Sequence, residues 1–178
     1  MRIISGKWKG LRIVAPAQLP VRPTTDMAKE SLFNWLGNYL DWENLVALDL
    51  CSGTGNIAFE MLSRGAAHVS AVDKDHRCVN FIAGKAKELH CDKQMSIYKT
   101  DCIIALERLA KPTEFIFADP PYDFAGYDVL AAQLFTCKNW VKGGFAVIEH
   151  PKEVNFSTFN PVDTRSYGKV CFTLFENL

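Results

Sequence analysis

Short apolar runs alternate along most of the chain with stretches whose apolar residues recur every three or four positions. Residues 46–50, 69–73, 96–100, 115–119 and 145–149 have the length and composition of strands buried on both sides. Between them, the segment from Asn56 to the stop at Gly65, the series Val79, Ile82, Ala83, Ala86 and Leu89, a short stretch through Ile103 and Leu106, and residues 129–134 predict helices. Strand and helix in regular succession predict a mostly parallel sheet with helices on both faces. Ahead of it, Ala28, Leu32, Trp35, Leu36, Tyr39 and Leu40 share one face of an amphipathic helix whose start is marked by Thr25 and Asp26. Behind it, residues 162–166 and 170–176 flank Tyr167-Gly168-Lys169 as a terminal antiparallel hairpin. Residues 2–14 read as two short strands around Gly6 and Gly10, a hairpin with Lys7, Trp8 and Lys9 near its tip, and residues 16–23 read as a linker.

Length supports one core: 178 residues, 48% of them hydrophobic, suit a single domain over 1–178, with 1–24 as a hairpin-and-linker extension and 25–178 as the core. No apolar run reaches the length of a signal peptide or a membrane span, so a soluble, cytoplasmic protein without a membrane partner is expected; a monomer is expected as well, though not from this observation. Six scattered cysteines form no CxxC pair and have no histidine at metal-ligand spacing; reduced thiols and no metal site are expected. The formal net charge is zero, but residues 1–30 hold Arg2, Lys7, Lys9, Arg12, Arg22 and Lys29 against Asp26 and Glu30, a local excess of +4. A basic patch on a neutral body suffices to engage phosphates, with an ordinary solvated basic surface as the alternative; the candidates for contact with RNA are Lys7, Trp8, Lys9, Arg12, Arg22 and Thr24.

Chemistry first shows in Asp49-Leu50-Cys51-Ser52-Gly53-Thr54-Gly55-Asn56, where a strand runs into a glycine turn that opens a helix. Such a turn lets a ligand lie against the backbone at the carboxyl end of a strand, where open α/β sheets bind their ligands. Asp49, Cys51, Gly53, Thr54 and Gly55 are therefore candidate cofactor-binding residues. Asp73, with Lys74 after it, closes the second strand twenty residues beyond Gly53, placed to accept hydrogens from ribose hydroxyls. The pattern also satisfies the relaxed dinucleotide fingerprint, which keeps NAD in view. Asp49 favours S-adenosylmethionine (AdoMet), whose ammonium it can meet and whose rival, a pyrophosphate, it would repel. Asp101 and Cys102, after the third strand, are candidates for holding an adenine; Asp101 as a plain helix N-cap remains an alternative.

Asp119-Pro120-Pro121-Tyr122 closes the fourth strand, beside the first in a doubly wound order, and these four are the candidate catalytic residues. The nitrogen of an exocyclic amino group is a poor nucleophile because its lone pair is delocalised into the ring. Holding both its hydrogens on tetrahedrally placed acceptors, the Asp119 carboxylate and the Pro120 carbonyl, frees that lone pair. Consecutive prolines stiffen the backbone and bring no competing N–H, and Tyr122 offers a ring on which a base can stack. NAD chemistry has no use for such an arrangement, so the pair of motifs decides for AdoMet.

Several segments together carry a resemblance. They are Arg2-Ile3-Ile4-Ser5-Gly6-Lys7-Trp8-Lys9-Gly10, Arg22-Pro23-Thr24-Thr25-Asp26 leading to Lys29-Glu30-Ser31-Leu32-Phe33-Asn34, the glycine loop followed by Ser63-Arg64-Gly65-Ala66, and Asp119-Pro120-Pro121-Tyr122. Over nearly its whole length the chain resembles the RsmD family, bacterial methyltransferases that modify N2 of a guanine in 16S ribosomal RNA of the small subunit, the guanine-966 type of target. The resemblance implies a Rossmann-like class I AdoMet methyltransferase with a seven-stranded, mostly parallel sheet. It also implies a 16S rRNA partner, in the small subunit or an assembly intermediate, and a role for the first segment and the Arg22 region in binding AdoMet or RNA. Many members have Glu at the position of Asp73 and a small residue at that of Asn56, and Lys169-Val170 departs from the family's tail. A DNA adenine-N6 methyltransferase shares both motifs but usually adds a target-recognition region. A protein-glutamine methyltransferase normally starts its tetrapeptide with Asn, and an RNA-binding module on a decayed scaffold would have little reason to keep Asp49, Asp73 and Asp119.

Overall fold

The computed structural model describes residues 1–17, 19, 25–168 and 170–178. Helix α1 (Asp26–Leu36) precedes the alternating elements β1 (Val46–Leu50), α2 (Asn56–Ser63), β2 (His68–Asp73), α3 (His76–Glu88), β3 (Met95–Lys99), α4 (Cys102–Glu107), β4 (Thr113–Ala118), α5 (Tyr127–Thr136) and β5 (Trp140–Pro151). The antiparallel strands β6 (Asp163–Tyr167) and β7 (Val170–Glu176) end the chain. The seven strands form one sheet in the order β3-β2-β1-β4-β5-β7-β6, parallel from β3 through β5 and antiparallel beyond. This is the seven-stranded, mostly parallel sheet that the sequence resemblance implies. Its order reverses direction between β1 and β4, and that switch opens a crevice at the carboxyl ends of those two strands.

Alternation of side chains across the sheet divides the apolar residues into two clusters. Ala47, Phe117, Val147 and Phe172 face α1, α2 and α3, whereas Leu48, Leu50, Ile116 and Ile148 face α4 and α5. Strands buried on both faces read as continuous apolar runs, which is why β1, β2 and β4 stand out in the sequence. Thr25 caps α1 through its hydroxyl on the Ala28 N–H. The helix stops at Leu36, earlier than its apolar period suggests, because Gly37 caps it; Tyr39 and Leu40 still pack against the core from the turn that follows.

The expected N-terminal hairpin forms, with arms shorter than regular strands. A single antiparallel bridge joins Arg2 to Arg12, and residues 5–10 between them are turns. The arms pair through Ile3 N–H on the Leu11 carbonyl and Gly10 N–H on the Ile3 carbonyl (both 2.9 Å) and Ile13 N–H on the Met1 carbonyl (3.0 Å), while the turn between them bonds to α2: Lys7 N–H donates to the Ser63 carbonyl (2.8 Å) and Trp8 N–H to the Ser63 hydroxyl (3.0 Å). Gly6 allows this approach. Its φ of 81° lies in the left-handed region, and a Cβ there would sit 1.7 Å from the Ser63 carbonyl oxygen.

Glu60, fully buried in the middle of α2, fastens the same segment. Its carboxylate accepts the Ile4 and Ser5 N–H groups (2.8 and 3.0 Å) and pairs with Lys29 Nζ (3.0 Å) and Arg64 Nε (2.9 Å). Lys29, also fully buried, spends its other hydrogens on the Arg2 carbonyl (2.7 Å) and Asn56 Oδ1 (2.9 Å). Burial pulls the Lys29 ammonium below its ordinary pKa, and Glu60 opposes that pull. Lys29 is thus removed from the surface charge of the first thirty residues, and Arg2 is paired with Asp26 (3.4 Å). Replacing Lys29 with Met would leave Glu60 short of its main partner, and loss of one member of a buried pair costs about 3 kcal/mol. Urea unfolding of the Lys29→Met protein should show a loss of that order; a change under about 1 kcal/mol would contradict the role assigned to the pair.

Candidate active site

The loop from Cys51 to Gly55 leaves β1 through three left-handed residues, Cys51 (φ 58°), Gly53 (φ 55°) and Gly55 (φ 73°). Ser52 ties it to the next strand: its N–H donates to the Val72 carbonyl (2.8 Å), its hydroxyl accepts the Val72 N–H (2.9 Å) and donates to the Asp49 carbonyl (2.7 Å). Asp73 draws the loop to β2, accepting the Gly53 N–H on Oδ2 and the Asp75 N–H on Oδ1, both at 2.8 Å. Asp49 Oδ2 accepts the Ala58 N–H (3.1 Å) from inside the first turn of α2.

A cavity of about 830 Å³ opens beyond this loop. Asp49, Cys51, Gly53 and Thr54 line it from β1; Asp73 and Lys74 from β2; Asp101 and Cys102 from the start of α4; and Asp119, Pro120, Pro121 and Tyr122 from the end of β4. Twelve of the residues singled out from the sequence therefore meet in one place. Gly55 does not. A Cβ on Gly55 would come within 2.8 Å of the Phe59 ring and 3.2 Å of Ile82, so its glycine serves the packing of the loop on α2 and α3. Asp101 does cap α4, accepting the Ile103 N–H on Oδ1 (2.8 Å), while also facing the cavity.

Around the tetrapeptide, Pro120 is buried and Tyr122 stands 77% exposed, its ring open for stacking. Phe124 and Tyr127, in edge-to-face contact at 5.3 Å, form an aromatic wall beside it. Burial pushes the Asp119 carboxyl up to about 7 and the Asp49 carboxyl up to about 8. Glu149, near the end of β5, is pushed up to about 8 by burial and then by Asp119.

The candidate RNA contacts lie outside the cavity, on the N-terminal segment. Lys7, Lys9 and Arg12 are exposed, with Lys7 over the Trp8 ring (4.4 Å) and bonded to Gln94 Oε1 (3.2 Å). Trp8 is half-buried and packs against the core. Arg22 and Thr24 lie outside the described residues. The segment adjoins the cofactor loop through Met1, whose sulfur accepts from the Thr54 hydroxyl (3.2 Å).

Comparison with known proteins agrees with this geometry. The family described as "Conserved hypothetical protein 95" matches residues 1–176. The chain is 39% identical over 157 residues to YlbH of Bacillus subtilis, a candidate rRNA methyltransferase, covering 86% of this chain and 84% of that one. It is 29% identical over 184 residues to ribosomal RNA small subunit methyltransferase D of Haemophilus influenzae, covering 99% and 94%. The chain belongs to the RsmD family of methyltransferases. In structure it overlays YhhF of Escherichia coli, a candidate methyltransferase, with a TM-score of 0.85 at 24% identity, covering 99% of this chain and 97% of that one.

Sequence reasoning about this RsmD-family chain missed Glu149, Phe124 and Tyr127. The signal for Glu149 was its place at the carboxyl end of a strand next to β4, where ligands bind in such sheets; the aromatic wall has no comparable signal, because its residues sit in a loop and a first helical turn.

Raised carboxyl pKa values set the sign of a pH effect. Asp49, Asp119 and Glu149 hold their protons more tightly folded than unfolded, so their contribution to stability is full below the ordinary carboxylate range and is lost as pH rises through about 7 to 8. Ligand-free protein should therefore unfold at higher urea at about pH 5.5 than at about pH 8.5. The Asp119→Asn, Glu149→Gln double variant should flatten the difference; an unchanged slope would show that these groups are not desolvated.

Proposed function

We propose that this chain transfers a methyl group from AdoMet to the exocyclic N2 of a guanine in 16S ribosomal RNA, in the small subunit or one of its assembly intermediates. AdoMet is the cofactor, and the cavity suits it: acids stand at its loop end and at the ends of β2 and β3, and residues 51–55 of the loop carry no cation. Asp49 and the loop backbone would hold the amino-acid end, Asp73 the ribose hydroxyls through the second lone pairs of its oxygens, and Asp101 with the Cys102 N–H the adenine. When bound, AdoMet supplies an electrophilic methyl group on a sulfonium centre.

The single observation that carries the reading is Asp119-Pro120-Pro121-Tyr122 at the end of β4, sharing one cavity with the glycine loop of β1. Asp119 and the Pro120 carbonyl hold the two amino hydrogens and expose the nitrogen lone pair, while Tyr122 stacks on the extruded base. Asp119 takes up a proton once the nitrogen has become cationic, a task suited to a carboxyl raised to about 7. Positioning supplies most of the acceleration. The RNA assignment is supported by relatives named as ribosomal RNA small subunit methyltransferases and by the exposed cations Lys7, Lys9 and Arg12. Arg22 and Thr24 extend that candidate surface, and a cytoplasmic place follows from the substrate.

Transfer of labelled methyl groups to unmethylated small subunits tests the assignment of roles. Asp119→Ala should still bind AdoMet yet lose about a hundredfold or more in rate, with Asp119→Asn low but above it. Tyr122→Phe should be mild and Tyr122→Ala severe, because only the latter removes the stacking ring. Near-normal turnover by folded Asp119→Ala protein would sink the mechanism.

Charge reversal at Lys7, Lys9 and Arg12 together should weaken binding to small subunits and flatten its salt dependence, each cation neutralising one phosphate. AdoMet affinity should stay as it was. Unchanged subunit binding across a salt series would return these side chains to ordinary solvated surface.

A further inference from the structure

Glu149 is a buried acid in the cavity wall to which methyl transfer assigns no task. It is 9% exposed, lines the cavity, and none of the described residues hydrogen-bonds its buried Oε2. An acceptor shut away from water without a donor destabilises a fold, so its presence in a cavity wall points to a donor that arrives with a ligand.

Its position relative to Asp119 identifies that donor. Strands β4 and β5 run parallel in a register that pairs Phe117 with Val147 and Ala118 with Ile148; one further step along that register brings Asp119, just past the end of β4, level with Glu149, whose carboxyl feels its charge. Both side chains follow the alternation of Phe117 and Val147 by two positions, so they leave the sheet on the same face, on neighbouring strands about 4.8 Å apart. The Asp119 N–H still bonds to the Leu50 carbonyl (3.3 Å), which carries the parallel ladder to this level. Two carboxyl groups side by side match a ligand edge with two donors side by side. Guanine has such an edge in its N1–H and N2 amino group. Adenine offers an amino group beside an N1 that has a lone pair and no hydrogen, and so cannot supply the donor that Glu149 Oε2 lacks.

We infer that Glu149 reads the target base, accepting the N1–H of guanine while Asp119 and the Pro120 carbonyl hold its N2 amino hydrogens. The inference rests on the guanine-N2 reading and sharpens it, because it gives the cavity a means of telling guanine from adenine. The extra methylene of Glu149 over Asp119 lets its carboxyl reach across the strand spacing to the neighbouring ring nitrogen. Burial and the neighbouring Asp119, which together disfavour the ionised form of Glu149, are offset by the donor when guanine enters.

The test uses small subunits reconstituted with 16S rRNA in which the methylated guanine, mapped with the wild-type protein, is replaced by 2-aminopurine. This base keeps the 2-amino group but has no hydrogen on N1. The wild-type protein should prefer guanine over 2-aminopurine by about a hundredfold or more in kcat/KM, as sites built to bond a donor do. In Glu149→Ala the guanine rate should fall by a similar factor while the 2-aminopurine rate holds, so the preference collapses to within about fivefold. Glu149→Gln, whose amide oxygen still accepts, should keep part of the preference and should bind AdoMet as the wild type does. A merely structural role would lower both rates together and leave the preference intact, which overturns the inference. Equal use of both bases by the wild-type protein overturns it too, without any variant. If the wild-type product is not N2-methylguanosine, the guanine reading falls and takes this inference with it; if it is, an unchanged preference in Glu149→Ala rejects the role of Glu149 alone.

Discussion

A carboxyl group deprived of water must give up its charge or find donors, and Asp49, Asp119 and Glu149 meet that constraint together at the ends of the adjacent strands β1, β4 and β5. Parallel strands carry the constraint as far as the crevice, because helices on both faces seal the sheet and leave water access only at the strand ends. The interior of the sheet is apolar through Leu48, Ile116 and Ile148, and its polarity appears within one or two residues of the cavity. Each acid is thereby held without a full set of protein donors, in readiness for a cationic cofactor on one side and an amino-bearing base on the other. The same desolvation that makes them costly when empty makes them strong acceptors when filled.

A second buried charge cluster explains how the short N-terminal hairpin is held against α2. Glu60 gathers Lys29, Arg64 and the Ile4 and Ser5 amides around one carboxylate, and Lys29 joins that cluster to Asn56 at the first position of α2. The helix whose start forms the end of the cofactor loop therefore also anchors the segment bearing Lys7, Lys9 and Arg12. A departure noted in the sequence, Asn56 in place of a small residue, has its account here: its amide oxygen takes a hydrogen from an ammonium that has no water to turn to.

Most of the sheet was legible because strands buried on both faces, such as 115–118, are uninterrupted apolar runs and because Gly53 and Asp119 punctuate them. What was hidden depended on contacts between distant parts of the chain. Lys29 counts as surface charge until Glu60 is known to face it, and Gly6 reads as a hairpin residue until the Ser63 carbonyl is seen 1.7 Å from where its Cβ would be. Gly55 looks like part of the ligand cradle although the Phe59 ring is what excludes a side chain there. Glu149 hides within an apolar strand, and only the register of β5 on β4 sets it beside Asp119.

The central claim, that these acids prepare a guanine N2 for methylation, is tested most directly by the identity of the modified nucleoside. Unmethylated small subunits, free 16S rRNA and duplex DNA would each be incubated with the protein and methyl-labelled AdoMet, then digested to nucleosides and separated. The account predicts label in N2-methylguanosine from the ribosomal substrate and none in the DNA. Label recovered as N6-methyladenine, or in protein rather than nucleic acid, would contradict it.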